Sequence, residues 1–176
     1  MTASKSILTV STLAFALIFG GGIYIITQLD TLAKPITERI ASDALGVAVT
    51  IGEMDIRLKE KRVDVRNVKV ANPSGYSKPH AITISEVTVA LSAIATNSVS
   101  IEDVTVKGTD AYLEVTRKGT NLRTLQNNLK KVEDDGPVEE AIKVIIERFS
   151  LDGAMLHPSI TLLSSRDLKS VQVSPI

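Results

Sequence analysis

The stretch Val63–Gly75, VDVRNVKVANPSG, decides how the chain folds. Val63 and Val65 alternate and share one face of a strand, as do Val68 and Val70. The step from Val65 to Val68 is odd, and an odd step on a regular strand sends the side chain to the opposite face. Keeping all four valines on one face requires an extra residue, so the pattern predicts a β-bulge near Arg66–Asn67. Asn72-Pro73-Ser74-Gly75 then stops the strand, because proline cannot donate to a ladder and Asn, Ser and Gly favour turns.

The phrase recurs along the chain. It reads Val49-x-Ile51-x-x-Met54-x-Ile56, Ile82-x-Ile84-x-x-Val87-x-Val89 and Val99-x-Ile101-x-x-Val104-x-Val106. A looser copy is Phe149-x-Leu151-x-x-Ala154-x-Leu156, and Leu168–Val173 keeps only its second half. The expected body is therefore one kinked strand repeated, greasy on one face and wet on the other.

With 176 residues the chain suits one domain plus an appendage. Its 20 basic and 20 acidic residues cancel, so no long-range field points to nucleic acid. There is no cysteine, hence no disulfide framework and no thiol chemistry. Beyond the first 29 residues only Tyr76, Tyr112 and Phe149 are aromatic, too few for a base-stacking platform.

In chain order, residues 1–5 read as a cytoplasmic stub carrying Lys5 and the terminal amine. Ser6–Leu29 has no charged residue, and as a helix it would reach roughly 36 Å, enough to cross a bilayer core. The positive end before it predicts a cytoplasmic N-terminus and an exported body. A signal peptide cut near Gly20–Gly22 is disfavoured, because Ile23-Tyr24-Ile25-Ile26 carries the apolar run past that point. Residues 30–45 read as an amphipathic linker helix with Leu32, Ile36 and Ile40 on its apolar side, ended by Gly46. A helix capping a sheet is favoured over one lying on a membrane, because its charges are mixed.

Residues 46–176 form the expected β domain. Val47–Leu58 and Val63–Val70 make a hairpin whose turn, Lys59–Arg62, is locally basic together with Arg57, Arg66 and Lys69. Strands follow at Ile82–Leu91, Val99–Val106 and, after a turn at Lys107–Asp110, Ala111–Thr116, with Ala111, Leu113 and Val115 inward. Leu122, Leu125, Leu129 and Val132 sit at helical spacing behind a Thr120 or Asn121 cap. Glu133–Pro137 is an acidic turn, Ile142–Leu156 returns to strand, His157-Pro158 ends it, and Leu168–Val173 is a last short strand. The fold class is thus mainly β with a few helices: an N-terminal transmembrane helix, then a curved, mostly antiparallel sheet with one or two covering helices.

These residues resemble the N-terminal region of the AsmA-like family. The resemblance is carried by a membrane helix, a short helix, and then GVAVTIGEMDIRL, RVDVRNVKVANPSGY and the run from Ile84 to Val115. Its most specific piece is the Asn-Val-x-Val-x-Asn-Pro-x-Gly pattern ending at Gly75, with Gly119-Thr-Asn-Leu122 as a second match. The resemblance implies an inner-membrane anchor, a periplasmic body of β-strands curled into an apolar groove, and a part in phospholipid movement or outer-membrane maintenance. It offers no catalytic motif. Family members are much longer, and six or seven strands at about 4.8 Å spacing make a sheet only some 30 Å wide.

No enzyme is expected. The histidines, His80 and His157, each adjoin a proline and are expected in loops, with no ligand partner at metal spacing. No nucleophile elbow or phosphate-binding glycine loop is spelled out. Neighbouring carboxylates such as Glu102/Asp103 point to opposite faces of a strand. No cofactor or metal is expected.

Two functional readings follow. In the first, the inward positions form a lipid-facing surface: Val63, Val65, Val68, Val70, Ile82, Ile84, Val87, Val89, Val99, Ile101, Val104 and Val106. Branched aliphatic side chains suit phospholipid acyl chains without selecting among them. For any one of these residues an ordinary core position is the simpler explanation. In the second, the body is a membrane-tethered structural or adaptor module whose exposed first or last strand adds to the sheet of an envelope protein.

Overall fold

The computed structural model describes residues 32–95, 98–117, 119–135, 143–161, 165–167 and 171–173. The stub and the proposed membrane segment, residues 1–29, lie outside them. Among the described residues no helix is long and apolar enough to cross a membrane. The body is mainly β with two helices, α1 (Ala33–Leu45) and α2 (Asn121–Asp135).

The strands are β1 (Val49–Arg57), β2 (Arg62–Ala71), β3 (His80–Ala95), β4 (Ser98–Thr116), β5 (Gly119–Thr120), β6 (Lys143–Asp152), β7 (Ala154–Thr161), β8 (Ser165–Asp167) and β9 (Val171–Val173). They join in one sheet whose main path runs β1-β2-β3-β4-β7-β8. β1 to β4 are antiparallel neighbours. β5 on β4 and β8 and β9 on β7 are antiparallel too, so the sheet is mostly antiparallel as expected; the exception is on the far side of β4. β6 and β7 lie end to end along β4 and parallel to it, in one unbroken register from Ser98↔Lys143 to Val115↔Ile160. A parallel pair needs a long return connection, and α2 lies within it, between β5 and β6.

The odd step is solved across the whole sheet, and not by a one-sided bulge at Arg66–Asn67. The β1–β2 and β2–β3 registers pass straight through that point. Each strand supplies its own extra residue at the same rank, giving a row of Gly52, Asn67, Ser85, Gly108 and Gly153 that the ladders step over. Facing insertions cancel, so every strand flips parity together and register survives. Asn67, Gly108 and Gly153 take the left-handed conformation, with φ of 56°, 61° and 65°. Asn and Gly tolerate this best.

β4 shows the consequence. Its buried residues are Val99, Ile101, Val104, Val106, Thr109, Ala111 and Glu114, in alternating steps of two and three. The expected turn at Lys107–Asp110 is therefore a crease within a single 19-residue strand. Of the expected inward set, Ala111 is buried and Leu113 is half-buried against the core, but Val115 joins neither and the next fully buried residue is Glu114. His157-Pro158 likewise lies inside β7 and does not end it. On the outer side of β7, β9 pairs with Ala154–Leu156 and β8 with Ser159–Thr161, so Pro158 falls in the gap where no N–H is needed.

Both helices join the buried valine face. Leu122, Leu125 and Leu129 of α2 enter the core, as do Ala33, Ala41, Ala44 and Leu45 of α1. Thr120 Oγ1 accepts from the Arg123 amide at 3.2 Å and caps α2. Asn128 Nδ2 donates to the Leu45 carbonyl at 2.7 Å and ties the two helices together.

The crease makes a stability forecast. A Cβ at Gly108 would meet Ser85 Oγ at 2.6 Å and Ser85 Cβ at 2.9 Å, at a φ that disfavours side chains. At Gly75 the φ is 94° but nothing lies within 4 Å. Urea denaturation should show Gly108→Ala losing roughly 2–3 kcal/mol and Gly75→Ala about 1 kcal/mol. Equal losses would disprove the close approach.

Candidate functional site

The proposed lipid-facing residues are brought together on one face, and most are interior. Val63, Val65, Val68, Val70, Val87, Val89, Val99, Ile101, Val104 and Val106 are buried, while Ile82 and Ile84 are half-buried. They form one cluster with the core residues of both helices. Reaching these side chains with an acyl chain would require that cluster to open.

The start of the first edge strand, Val49 to Gly52, is capped by α1. Val49 N–H donates to Ser42 Oγ at 2.8 Å, Ile51 N–H donates to Glu38 Oε1 at 2.6 Å, and Lys34 Nζ donates to the Gly52 carbonyl at 2.9 Å. The spacings explain the fit. Four residues of helix rise about 6.0 Å, and two residues of strand rise about 6.7 Å. A polar stripe at Lys34, Glu38 and Ser42 therefore tracks the outward groups of β1.

That contact fixes the rotation of α1. The small stripe Ala33, Thr37, Ala41 and Ala44 is buried. The expected apolar stripe is turned aside: Leu32 is 47% exposed, and Ile36 and Ile40 are half-buried. On the other flank, β6 pairs in parallel with β4.

The arginines of the expected basic end are paired with carboxylates. Arg57 and Arg62 both bond the buried Asp64, and Arg66 Nη1 reaches Glu53 Oε2 at 3.2 Å. Thr88 Oγ1 also donates to Asp64 at 2.9 Å.

The residues carrying the two most specific motifs meet at a polar latch. Asn121 Nδ2 donates to Asn72 Oδ1 at 2.8 Å and to the Tyr112 carbonyl at 2.6 Å. Asn121 Oδ1 accepts the Glu114 amide at 2.9 Å. The carboxylate of Glu114, 1% exposed, holds the loop after β2. Its Oε2 accepts from Ser77 N–H at 2.8 Å and Ser77 Oγ at 2.7 Å, and its Oε1 accepts from Lys78 N–H at 2.8 Å and from Asn72 Nδ2. Burial alone would raise the Glu114 pKa, but the donors from Ser77, Lys78 and Asn72 outweigh it and hold the carboxyl below its usual range. Sequence reasoning missed Glu114, which lies in an apparently alternating strand. The signal was the continued two-three step of β4.

His157 is not a loop histidine. It lies in β7, its Nε2 is 2.6 Å from Asp110 Oδ1, and its ring stacks on Tyr112 at 4.9 Å. Parallel pairing of β4 with β7 creates this contact between residues distant in sequence. His80 opens β3. Among the described residues no group of three or more His, Cys, Asp or Glu side chains could hold a metal.

Comparison of the chain with protein-family models, curated proteins and solved structures found no match.

Two measurements follow. A depressed folded pKa contributes stability that is present above the ordinary Glu value of about 4.3 and is lost as pH falls through the folded value. Glu114→Gln should thus lower stability at pH 7 by about 2 kcal/mol and flatten the acid limb of the stability curve. An unchanged acid limb would refute the latch. At the first edge, Glu38→Ala should speed hydrogen exchange at the Ile51 amide and cost about 1–2 kcal/mol. Unaltered protection there would show that α1 does not cap β1.

Proposed function

We propose that this chain is a membrane-tethered, non-enzymatic scaffold of the cell envelope that engages a protein partner through an exposed sheet edge. The observation carrying this reading is an asymmetry. The valine face is packed as a core, the start of β1 is capped by α1 side chains, and β8 and β9 each pair only with β7 among the described residues. An edge strand presents unpaired N–H and C=O groups, a template to which a strand of another chain can add. The polar latch saturates itself, since each Glu114 oxygen accepts two hydrogen bonds.

The tether, with an inner-membrane position and a periplasmic body, rests on the uncharged run Ser6–Leu29 with Lys5 before it. The resemblance to the AsmA-like family supports the same placement. That resemblance, with the half-burial of Ile82 and Ile84, also keeps phospholipid binding as the second reading. It would operate through an opened form in which α1 and α2 leave the sheet.

Lipid content separates the two. The body, released by a protease site placed before Asp30, should carry no phospholipid in native mass spectrometry. Val87→Asp and Val104→Asp should each destabilise it by about 3 kcal/mol or more, because a carboxylate enters a dry core. Phospholipid that is retained by the folded body and released by either variant at unchanged stability would overturn the scaffold reading.

A further inference from the structure

The large apolar side chains left exposed among the described residues are Leu32, Leu58, Ile94 and Ile145. Three of them gather at one end of the sheet. Leu58 opens the short helical turn Leu58–Glu60 between β1 and β2. Leu91 N–H donates to the Lys61 carbonyl at 2.8 Å, and Lys61 Nζ donates to the Ser92 carbonyl at 3.0 Å. The turn therefore rests against the end of β3, where Ile94 lies. Ile145 pairs with Ser100, whose other partner is Ala93, so it stands at the same end. The fourth residue, Leu32, precedes α1, and α1 points its N-terminus the same way. Ser42 meets Val49, Glu38 meets Ile51 and Lys34 meets Gly52, so helix and strand run antiparallel. We infer that this end, a tip made by Leu58, Lys59, Lys61 and Ile94, docks on the surface of an anionic phospholipid bilayer. The inference rests on the membrane tether of the proposed reading and adds which end of the body meets the bilayer.

Three observations carry the inference. The first is where the chain outside the described residues leads. The uncharged run Ser6–Leu29 ends three residues before Leu32. A link of that length reaches at most about 11 Å. β1 runs on from Gly52 to Arg57 before the turn begins at Leu58. That sets Leu58 roughly 20 Å beyond Gly52, in the direction α1 points. Leu32 is only about 3 Å beyond Lys34 along the helix axis. The tip overhangs the start of α1 by more than the link can span. A body held by that link, with α1 pointing at the bilayer, sets its tip into the interface.

The second observation is charge. Residues 57–62 read Arg-Leu-Lys-Glu-Lys-Arg, four basic side chains against one acidic. Asp64 holds Arg57 and Arg62, and Arg57 also reaches Glu60 at 3.3 Å. Lys59 and Lys61 stay exposed on either side of Glu60. Ammonium groups beside exposed leucine and isoleucine match anionic headgroups lying over acyl chains. The third observation is the contrast between the two ends. The opposite end carries the loop after β2, which the Glu114 carboxylate holds through Ser77 and Lys78. None of the exposed large apolar residues among the described residues lies there. Exposed apolar surface is thus confined to the end that the tether approaches.

The chain has no cysteine, so one introduced thiol carries one label. The full chain is reconstituted into vesicles of phosphatidylethanolamine and phosphatidylglycerol that contain a lipid with a quencher just below its headgroup. A fluorophore is placed on Leu58→Cys, on Ile94→Cys or, at the opposite end, on Ser74→Cys. The labels at 58 and 94 should be quenched about three-fold more strongly than the label at 74. Reversing Lys59→Glu and Lys61→Glu together should cut the quenching at 94 about two-fold or more, and so should replacing phosphatidylglycerol with phosphatidylcholine around the unreversed chain. Equal, weak quenching at all three positions in a vesicle-bound chain overturns the inference and leaves the tether standing. Quenching that ignores both the charge reversal and the lipid exchange overturns it too, because the lysines would then select nothing. Tip labels shielded from the lipid quencher and from aqueous iodide alike mark a second copy of the chain at the tip, which also overturns it. A chain that fails to float with the vesicles removes the tether itself, and the inference with it.

Discussion

Parity is the constraint on which this structure rests. A β-face stays apolar only if inward residues are an even number of steps apart, and the valine pairs here are repeatedly separated by three. One bulge in one strand would repair the face and shift the register. A facing insertion in every neighbour repairs the face and leaves the register intact. The row from Gly52 to Gly153 is that solution, and it explains why small or left-handed-tolerant residues recur at one rank of unrelated strand segments. The long strand β4 accepts its parallel neighbours because β6 and β7 repeat its steps of two and three.

Once the face is continuous, something must cover it and something must satisfy the sheet edges. α1 does both. Its small residues permit close approach to the core, and Lys34, Glu38 and Ser42 satisfy backbone groups of β1. The geometry of that capping decides which helix side turns in, which is why alanines and a threonine are buried while Leu32 is left out. α2 is held from the other direction by Asn121, whose side chain bridges the strand end and the loop after β2. Glu114 completes the same junction. Its carboxylate stays ionised in a buried place because four donors converge on it. The valine face is thereby a core with a polar clasp at one end.

Much of this was legible. The repeated phrase placed the main strands, Gly46 ended α1, the spacing of Leu122, Leu125 and Leu129 placed α2, and the odd step located a disturbance at Asn67. The misreadings share a cause. Gly108 reads as a turn, and His157-Pro158 as a stop, only when neighbours are ignored. Beside Ser85 the glycine is a crease, and between β8 and β9 the proline has an unused position. Val115 was placed inward by simple alternation, which the continuing crease pattern of β4 overrode at Glu114.

Short-range chemistry in the chain by itself determined that the body is a layer of kinked strands with one oily side, because alternation and odd steps are local properties of the backbone. Pairing belongs to the tertiary structure. Only the packed sheet decided that β4 takes parallel partners, that Glu114 meets Ser77, and that His157 meets Asp110. These contacts join segments far apart in the chain, and no local periodicity encodes which segments meet. Only packing, too, could show that the valine face is buried against helices, since an alternating strand looks the same whether its apolar side lines a groove or fills a core.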